Sequence, residues 1–192
     1  MAIELPEEVM QRLSSVRAKL DLGFRDITWV RPEGIHLTIK FLGEVDEDRV
    51  SALTDALNAA KQGIMPFTVK VGRIGAFPGM SRPRVLWAGV DGKGELIQLQ
   101  RNIEEALFKL GFEKETRPFS PHLTLCRIKS FKEGSKLAAL AKELKGAPDA
   151  EFQVSSYALI KSVLSPKGAE YSIVKRFILD AGSDSPSSPR LN

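Results

Sequence analysis

The sequence predicts an α+β fold of two pseudo-symmetric lobes, each a mainly antiparallel sheet with helices on its outside, flanking a central cleft. Three observations carry this expectation. Residues 31–39 and 117–125 align without gaps at an offset of 86 and agree at five of nine positions. The agreement is Arg31-Pro32 with Arg117-Pro118, and His36-Leu37-Thr38 with His122-Leu123-Thr124. Helical and strand periodicities recur around both copies in the same order. Finally, 192 residues at 43% hydrophobic suffice to bury most of the chain without disulfides or a structural metal.

Taken in order, Val85–Val90 reads as a strand whose counterpart should precede Pro6, where only Met1 to Leu5 are available. Either this first strand is short, or the numbering starts inside a longer natural product. Val9, Leu13, Val16 and Leu20 then recur at helical spacing, with Pro6 opening the first turn. The matching helix of the second copy carries Leu96, Leu99, Ile103, Leu107 and Leu110 and stops at Gly111. After each His-Leu-Thr strand a further helix is expected. Val50, Leu53 and Leu57 mark the first, with Asp46 or Asp48 as cap, and Leu137, Leu140 and Leu144 the second, started by Gly134-Ser135. Phe67–Phe77 and Val85–Val90, then Phe152–Leu164 and Tyr171–Leu179, read as strands separated by proline-glycine turns. Two copies at so long a period exclude a solenoid. Residues 1–180 form the expected bilobal domain. Residues 181–192 are rich in serine and proline and read as a mobile tail.

The chain has two histidines, and both lie in the repeat. With six threonines and 22 leucines in the chain, chance placement of Leu-Thr after both histidines has a probability of about one in 10^5. On a strand, His36 and Thr38 point to one face while Leu37 and Ile39 point to the other, and His122 and Thr124 repeat the arrangement. A pseudo-twofold can bring both pairs to one cleft. Two imidazoles suit phosphodiester cleavage, in which one takes a proton from the attacking oxygen and the other protonates the leaving oxygen. The threonine hydroxyls can hold the nonbridging phosphate oxygens.

Other chemistries fit less well. One cysteine excludes an intramolecular disulfide and a thiolate zinc site. No acidic residue lies within either motif, so two imidazoles would be the whole ligand set, and no metal or cofactor is expected. Cys126, four residues after His122, is a conceivable nucleophile with only Arg127 beside it to lower its pKa. Gly72-Arg73-Ile74-Gly75 and Gly92-Lys93-Gly94 lack nucleotide-loop spacing and read as turns. A net charge of +4 permits an anionic partner without specifying one. Without a membrane-length apolar run or a signal-peptide pattern, a cytoplasmic monomer is expected.

The two motifs His36-Leu37-Thr38-Ile39 and His122-Leu123-Thr124-Leu125 resemble the paired His-x-Thr signatures of the two-histidine phosphoesterases. Together with Phe41-Leu42-Gly43 and Ser120-Pro121, they make the chain most similar to the RNA 2′,3′-cyclic phosphodiesterases, historically called 2′-5′ RNA ligases. The resemblance runs from residue 1 to about 180. It implies metal-independent hydrolysis of a terminal 2′,3′-cyclic phosphate on RNA or a nucleotide to a 2′-phosphomonoester, with reverse 2′-5′ ligation. It further implies His36 as proton donor, His122 as proton acceptor, and Thr38, Thr124 and Arg127 as phosphate-binding residues. Strict alternation would put Arg127 on the face opposite His122, so its role requires a bulge or the strand end. Phe41 could stack on a base, but alternation places it in the core. Arg31, Arg117, Lys40, Arg82, Arg84 and Lys129 could line a groove for an RNA backbone. A noncatalytic nucleotide-binding module and a 2′-5′ oligonucleotide phosphodiesterase are the competing readings.

Overall fold

A computed structural model describes residues 1–144, 148–165 and 168–179. The expected tail and the Pro166-Lys167 turn lie outside the described residues. The first copy supplies β1 (Ala2–Ile3), α1 (Glu7–Leu20), β2 (Ile27–Trp29), β3 (Leu37–Thr38), α2 (Val50–Ala60) and β4 (Phe67–Phe77). The second supplies β5 (Val85–Asp91), α3 (Lys93–Phe108), β6 (His122–Ile128), α4 (Phe131–Glu143), β7 (Ala150–Val154), β8 (Ser156–Ser165) and β9 (Gly168–Ile178). They form two antiparallel sheets, in the orders β3-β1-β8-β9 and β2-β6-β5-β4-β7.

The helices form as their apolar spacing predicts. Val9, Leu13, Val16 and Leu20 are the buried stripe of α1, each contributing roughly 1.5–3 kcal/mol by leaving water. Glu7 and Glu8 in its first turn and Arg17 and Lys19 in its last complement the helix dipole. Leu96, Leu99, Ile103 and Leu107 bury the matching face of α3, and Gly111 at φ 86° turns the chain away after it. Two expected boundaries are corrected. The helix α4 begins at Phe131, before Gly134, because the Ser130 hydroxyl accepts the Glu133 backbone N–H and caps it. Helix α2 is entered through a 3-10 turn over Glu47–Arg49, where Asp46 occupies the cap position without a side-chain bond.

The expected strand Phe152–Leu164 divides at Ser155. Phe152 and Val154 are buried in alternation, whereas Tyr157, Ala158 and Leu159 are buried in succession. The period-2 pattern of the first segment therefore does not continue into the second. β7 ends in one sheet and β8 begins in the other. As a result each sheet draws on both copies of the repeat. β8 and β9 complete the sheet begun by β1 and β3, while β4 lies between β5 and β7. Buried side chains from both sheets and all four helices join one apolar cluster. The strand before α1 is two residues long and sits between β3 and β8.

Candidate active site

Residues of β3 and β6, the two motif strands, lie within 8 Å of each other at Cα although they belong to different sheets. Between them is a cavity of about 290 Å³ lined by His36, Thr38, Thr124 and Arg127. His122 does not itself line this cavity. It is half-buried two residues before Thr124 on the same face of β6, about 7 Å along the strand.

Each imidazole is oriented by the backbone two residues upstream. His122 Nδ1 is 2.7 Å from the Ser120 carbonyl oxygen, an acceptor, so Nδ1 donates in this contact and Nε2 is the nitrogen it does not engage. His36 hydrogen-bonds to the Gly34 backbone. Burial lowers the His36 pKa, the positive Met1 amino group lowers it further, and the Gly34 bond opposes both. The ring packings differ. His36 meets Tyr171 edge-on, with centroids 5.0 Å apart at 73°. His122 meets Phe77 edge-on at 4.9 Å and 82°, with Trp87 at 6.2 Å on another side.

Arg127 reaches the cavity because β6 carries a bulge. Its pairing with β5 steps from Trp87↔Thr124 to Leu86↔Cys126, leaving Leu125 as the extra residue. The alternation resets there: Leu125 and Cys126 are both buried, and Arg127 is exposed on the cavity side. The same reset turns Cys126 away from His122. Burial pushes its thiol pKa up to about 12, outweighing the hydrogen bond to Leu86 that lowers it, so the thiolate needed for nucleophilic attack does not form near neutrality.

Two readings of the first motif change with the structure. Phe41 is 75% exposed and lines the cavity, because β3 ends at Thr38 and alternation does not extend to it. Lys40 is buried, and its ammonium donates at 2.7 Å both to Glu104 Oε1 on α3 and to the Glu113 carbonyl oxygen. Lys40 is among the residues lining the cavity, but its ammonium is engaged by Glu104 and Glu113. Arg117 lines a separate cavity of about 420 Å³ with Glu104 and Arg101. Arg31, Arg82, Arg84 and Lys129 are exposed and absent from the His36 cavity, and Arg84 donates to the Lys129 carbonyl oxygen at 2.7 Å.

Sequence reasoning did not single out the remaining wall, formed by Ile160, Ser162 and Tyr171. Ser162 pairs with Tyr171 and Ile160 with Ile173 across β8 and β9, so the period-2 pattern of these strands was the available signal. Among the described residues no group of three or more histidine, cysteine, aspartate or glutamate side chains could hold a metal ion.

The two motif strands, one in each helix-flanked sheet, thus bring His36, Thr38 and Thr124 to one cavity and set His122 beside it, the arrangement expected of a two-histidine phosphoesterase. The sequence pattern of LigT-like phosphoesterases matches residues 3–87 and 90–171, and the chain belongs to that family. It is 34% identical to the RNA 2′,3′-cyclic phosphodiesterase of Methanocaldococcus jannaschii over 92% of this chain and 98% of the relative. It is 35% identical to the protein of that name from Aquifex aeolicus, over 90% of each. Among solved structures, TT0787 of Thermus thermophilus superimposes with a TM-score of 0.77 at 28% identity, covering 93% of this chain and 95% of that one. E. coli LigT complexed with 3′-AMP gives 0.73 at 28% identity over the same shares.

Proposed function

We propose that this chain hydrolyses the terminal 2′,3′-cyclic phosphate of RNA to a 2′-phosphomonoester, without a metal, by paired histidine acid–base catalysis. The observation that carries the reading is one cavity receiving His36-x-Thr38 from one sheet and Thr124 and Arg127 from the other, with His122 beside it and its Nε2 outside the Ser120 contact. The names of the relatives support the substrate class.

His122 Nε2 takes a proton from water as the water oxygen bonds to phosphorus. The bond from phosphorus to the 3′-oxygen breaks, and His36 gives that oxygen its proton. Thr38 and Thr124 donate to the nonbridging oxygens, and Arg127 balances the charge that grows on them. Each proton transfer contributes roughly 10²–10⁴-fold. The same steps with a 5′-hydroxyl in place of water join that hydroxyl to the cyclic end as a 2′-5′ linkage, the 3′-oxygen again leaving with the His36 proton. Phe41, exposed at the cavity, offers a face for the terminal base. Residues 1–180 constitute the active unit, a monomer working on cytoplasmic RNA ends. In keeping with this, no helix of the described residues is long and apolar enough to cross a membrane.

The test is a defined RNA with a 2′,3′-cyclic end, incubated in excess EDTA, with 2′- and 3′-phosphate products separated. A 2′-phosphate product, lost in His36→Ala and in His122→Ala, is expected. A metal requirement, or activity surviving both replacements, would overturn the mechanism. Binding without turnover across roughly pH 5–8, the range where imidazole titrates, would make the chain a binding module instead.

A further inference from the structure

A second arginine stands on the cleft face beside His122. Across β4, β5 and β6 the register aligns Phe77 with Val85 and Arg127, Gly75 with Trp87 and Thr124, and Gly72 with Gly89 and His122. β4 bulges between Gly72 and Ile74, and Arg73 is the extra residue. The bulge re-aims its side chain onto the cleft face. A Cβ on Gly89 would meet Arg73 Cγ and Nε at 3.4 Å, so the arginine stem lies across Gly89, the direct cross-strand neighbour of His122. Its guanidinium carbon is 5.5 Å from the Trp87 ring centroid, and that ring is the one beside His122. β4 and β6 are two strand spacings apart, about 10 Å, and the side chain covers the strand between them.

The charge at this place is uncompensated. Those three rows contain no aspartate or glutamate, and Arg127 is their only arginine or lysine, with Arg73 standing in the bulge beside them. Asp91, one face position further along β5, pairs with Lys70 in the register. Arg73 is exposed and makes no ion pair among the described residues. The opposite wall presents Tyr171, Ser162 and Ile160, with the Met1 amino group acting on His36 there. Arg127 lines the cavity with both threonines, whereas Arg73 stands outside it, across Gly89 from His122.

We propose that Arg73, held over Gly89 by Trp87, binds a backbone phosphodiester of an oligonucleotide other than the phosphate that reacts. This rests on the function proposed above and deepens it. Arg73 makes the site prefer a chain to a cyclic mononucleotide. Two strands can supply that phosphodiester: the one ending in the cyclic phosphate, or a 5′-hydroxyl strand bound for joining.

The full-length protein and its Arg73→Gln and Arg73→Lys variants are compared on three reactions. These are opening of 2′,3′-cyclic AMP, opening of a trinucleotide ending in a 2′,3′-cyclic phosphate, and joining of that trinucleotide to a 5′-hydroxyl oligonucleotide. Cyclic AMP opening should be unchanged in Arg73→Gln. If the cyclic-ended strand supplies the phosphate, trinucleotide opening falls about tenfold through KM, its salt dependence drops by about one ion, and Arg73→Lys recovers most of the loss. If the joining strand supplies it, both openings are unchanged and only the yield of joined product falls. Equal losses on cyclic AMP and trinucleotide would overturn the proposal, because Arg73 would then act through Trp87 and His122. No loss in any reaction would overturn it as well. A wild-type protein that opens neither substrate contradicts the proposed function and not this subsite. The subsite is read separately by fluorescence anisotropy with two probes, a 2′-phosphate-ended trinucleotide and a 5′-hydroxyl oligonucleotide: Arg73→Gln should bind one of them more weakly, and equal binding of both probes by both proteins would refute it.

Discussion

Gly75 is a sensitive point of the site although it touches no substrate. It sits opposite Trp87 in the β4–β5 ladder, and a Cβ there would lie 2.2 Å from the indole Cη2 and 2.3 Å from Cζ2. Ordinary contact begins at 3.4 Å, so Gly75→Ala leaves a deficit of 1.2 Å that the Trp87 ring must make good by moving. Trp87 is 9% exposed and has Phe77 at 5.2 Å and His122 at 6.2 Å between centroids, which leaves it no open side. Overpacking of this kind costs about 1–3 kcal/mol, a fall in Tm of roughly 2–12 °C for a chain of this size. Displacement near 1 Å passed on to His122 costs up to about 10²-fold in rate. Thermal unfolding by circular dichroism and steady-state kinetics on a cyclic-phosphate substrate measure the two effects, and Gly75→Ala/Trp87→Leu removes the clash itself. If Gly75→Ala keeps both wild-type Tm and wild-type kcat, the indole does not hold His122 in place.

Three further outcomes are expected. A buried proton donor with a lowered pKa loses its proton earlier as pH rises, so the alkaline limb of kcat/KM should lie below that of an ordinary histidine. Bound phosphate favours the imidazolium and should move the alkaline limb of kcat upward, and coincident limbs in the two profiles would count against His36 as donor. Lys40→Met or Glu104→Leu alone strands a buried charge and should cost about 3–5 kcal/mol in denaturant unfolding, whereas the double variant should recover most of that loss. Cys126→Ala should keep activity within about twofold, and the native thiol should resist alkylation, because burial keeps it protonated; rapid labelling of the folded protein would contradict this.

Much of the site is legible in the sequence because it is written twice. Two histidines, each followed by Leu-Thr, identify the residues whatever the fold, and period 2 correctly puts Leu37 and Leu123 in the core. Phase is harder to read. Arg127 depends on one extra residue at Leu125, and nothing in Leu125-Cys126 distinguishes a bulge from a regular strand. Alternation carried on to Lys40 and Phe41 treats β3 as continuing, yet it ends at Thr38, and beyond it side-chain direction follows tertiary contacts. Lys40 turns inward because a carboxylate 64 positions away is there to receive it. Tyr171 reaches His36 because β8 and β9 cross into the other sheet, a consequence of the switch at Ser155 that no local signal announces.

That crossing also says what the repeat could have been on its own. One copy carries a single imidazole and a single hydroxyl, and its sheet is unfinished until strands arrive from the other copy. A free-standing ancestor would have had to work as two identical chains exchanging strands across a twofold axis, with both histidines in identical surroundings. Joining the copies removed that constraint. One imidazole packs against a tyrosine and the other beside a phenylalanine and a tryptophan, surroundings that two identical chains could not make different.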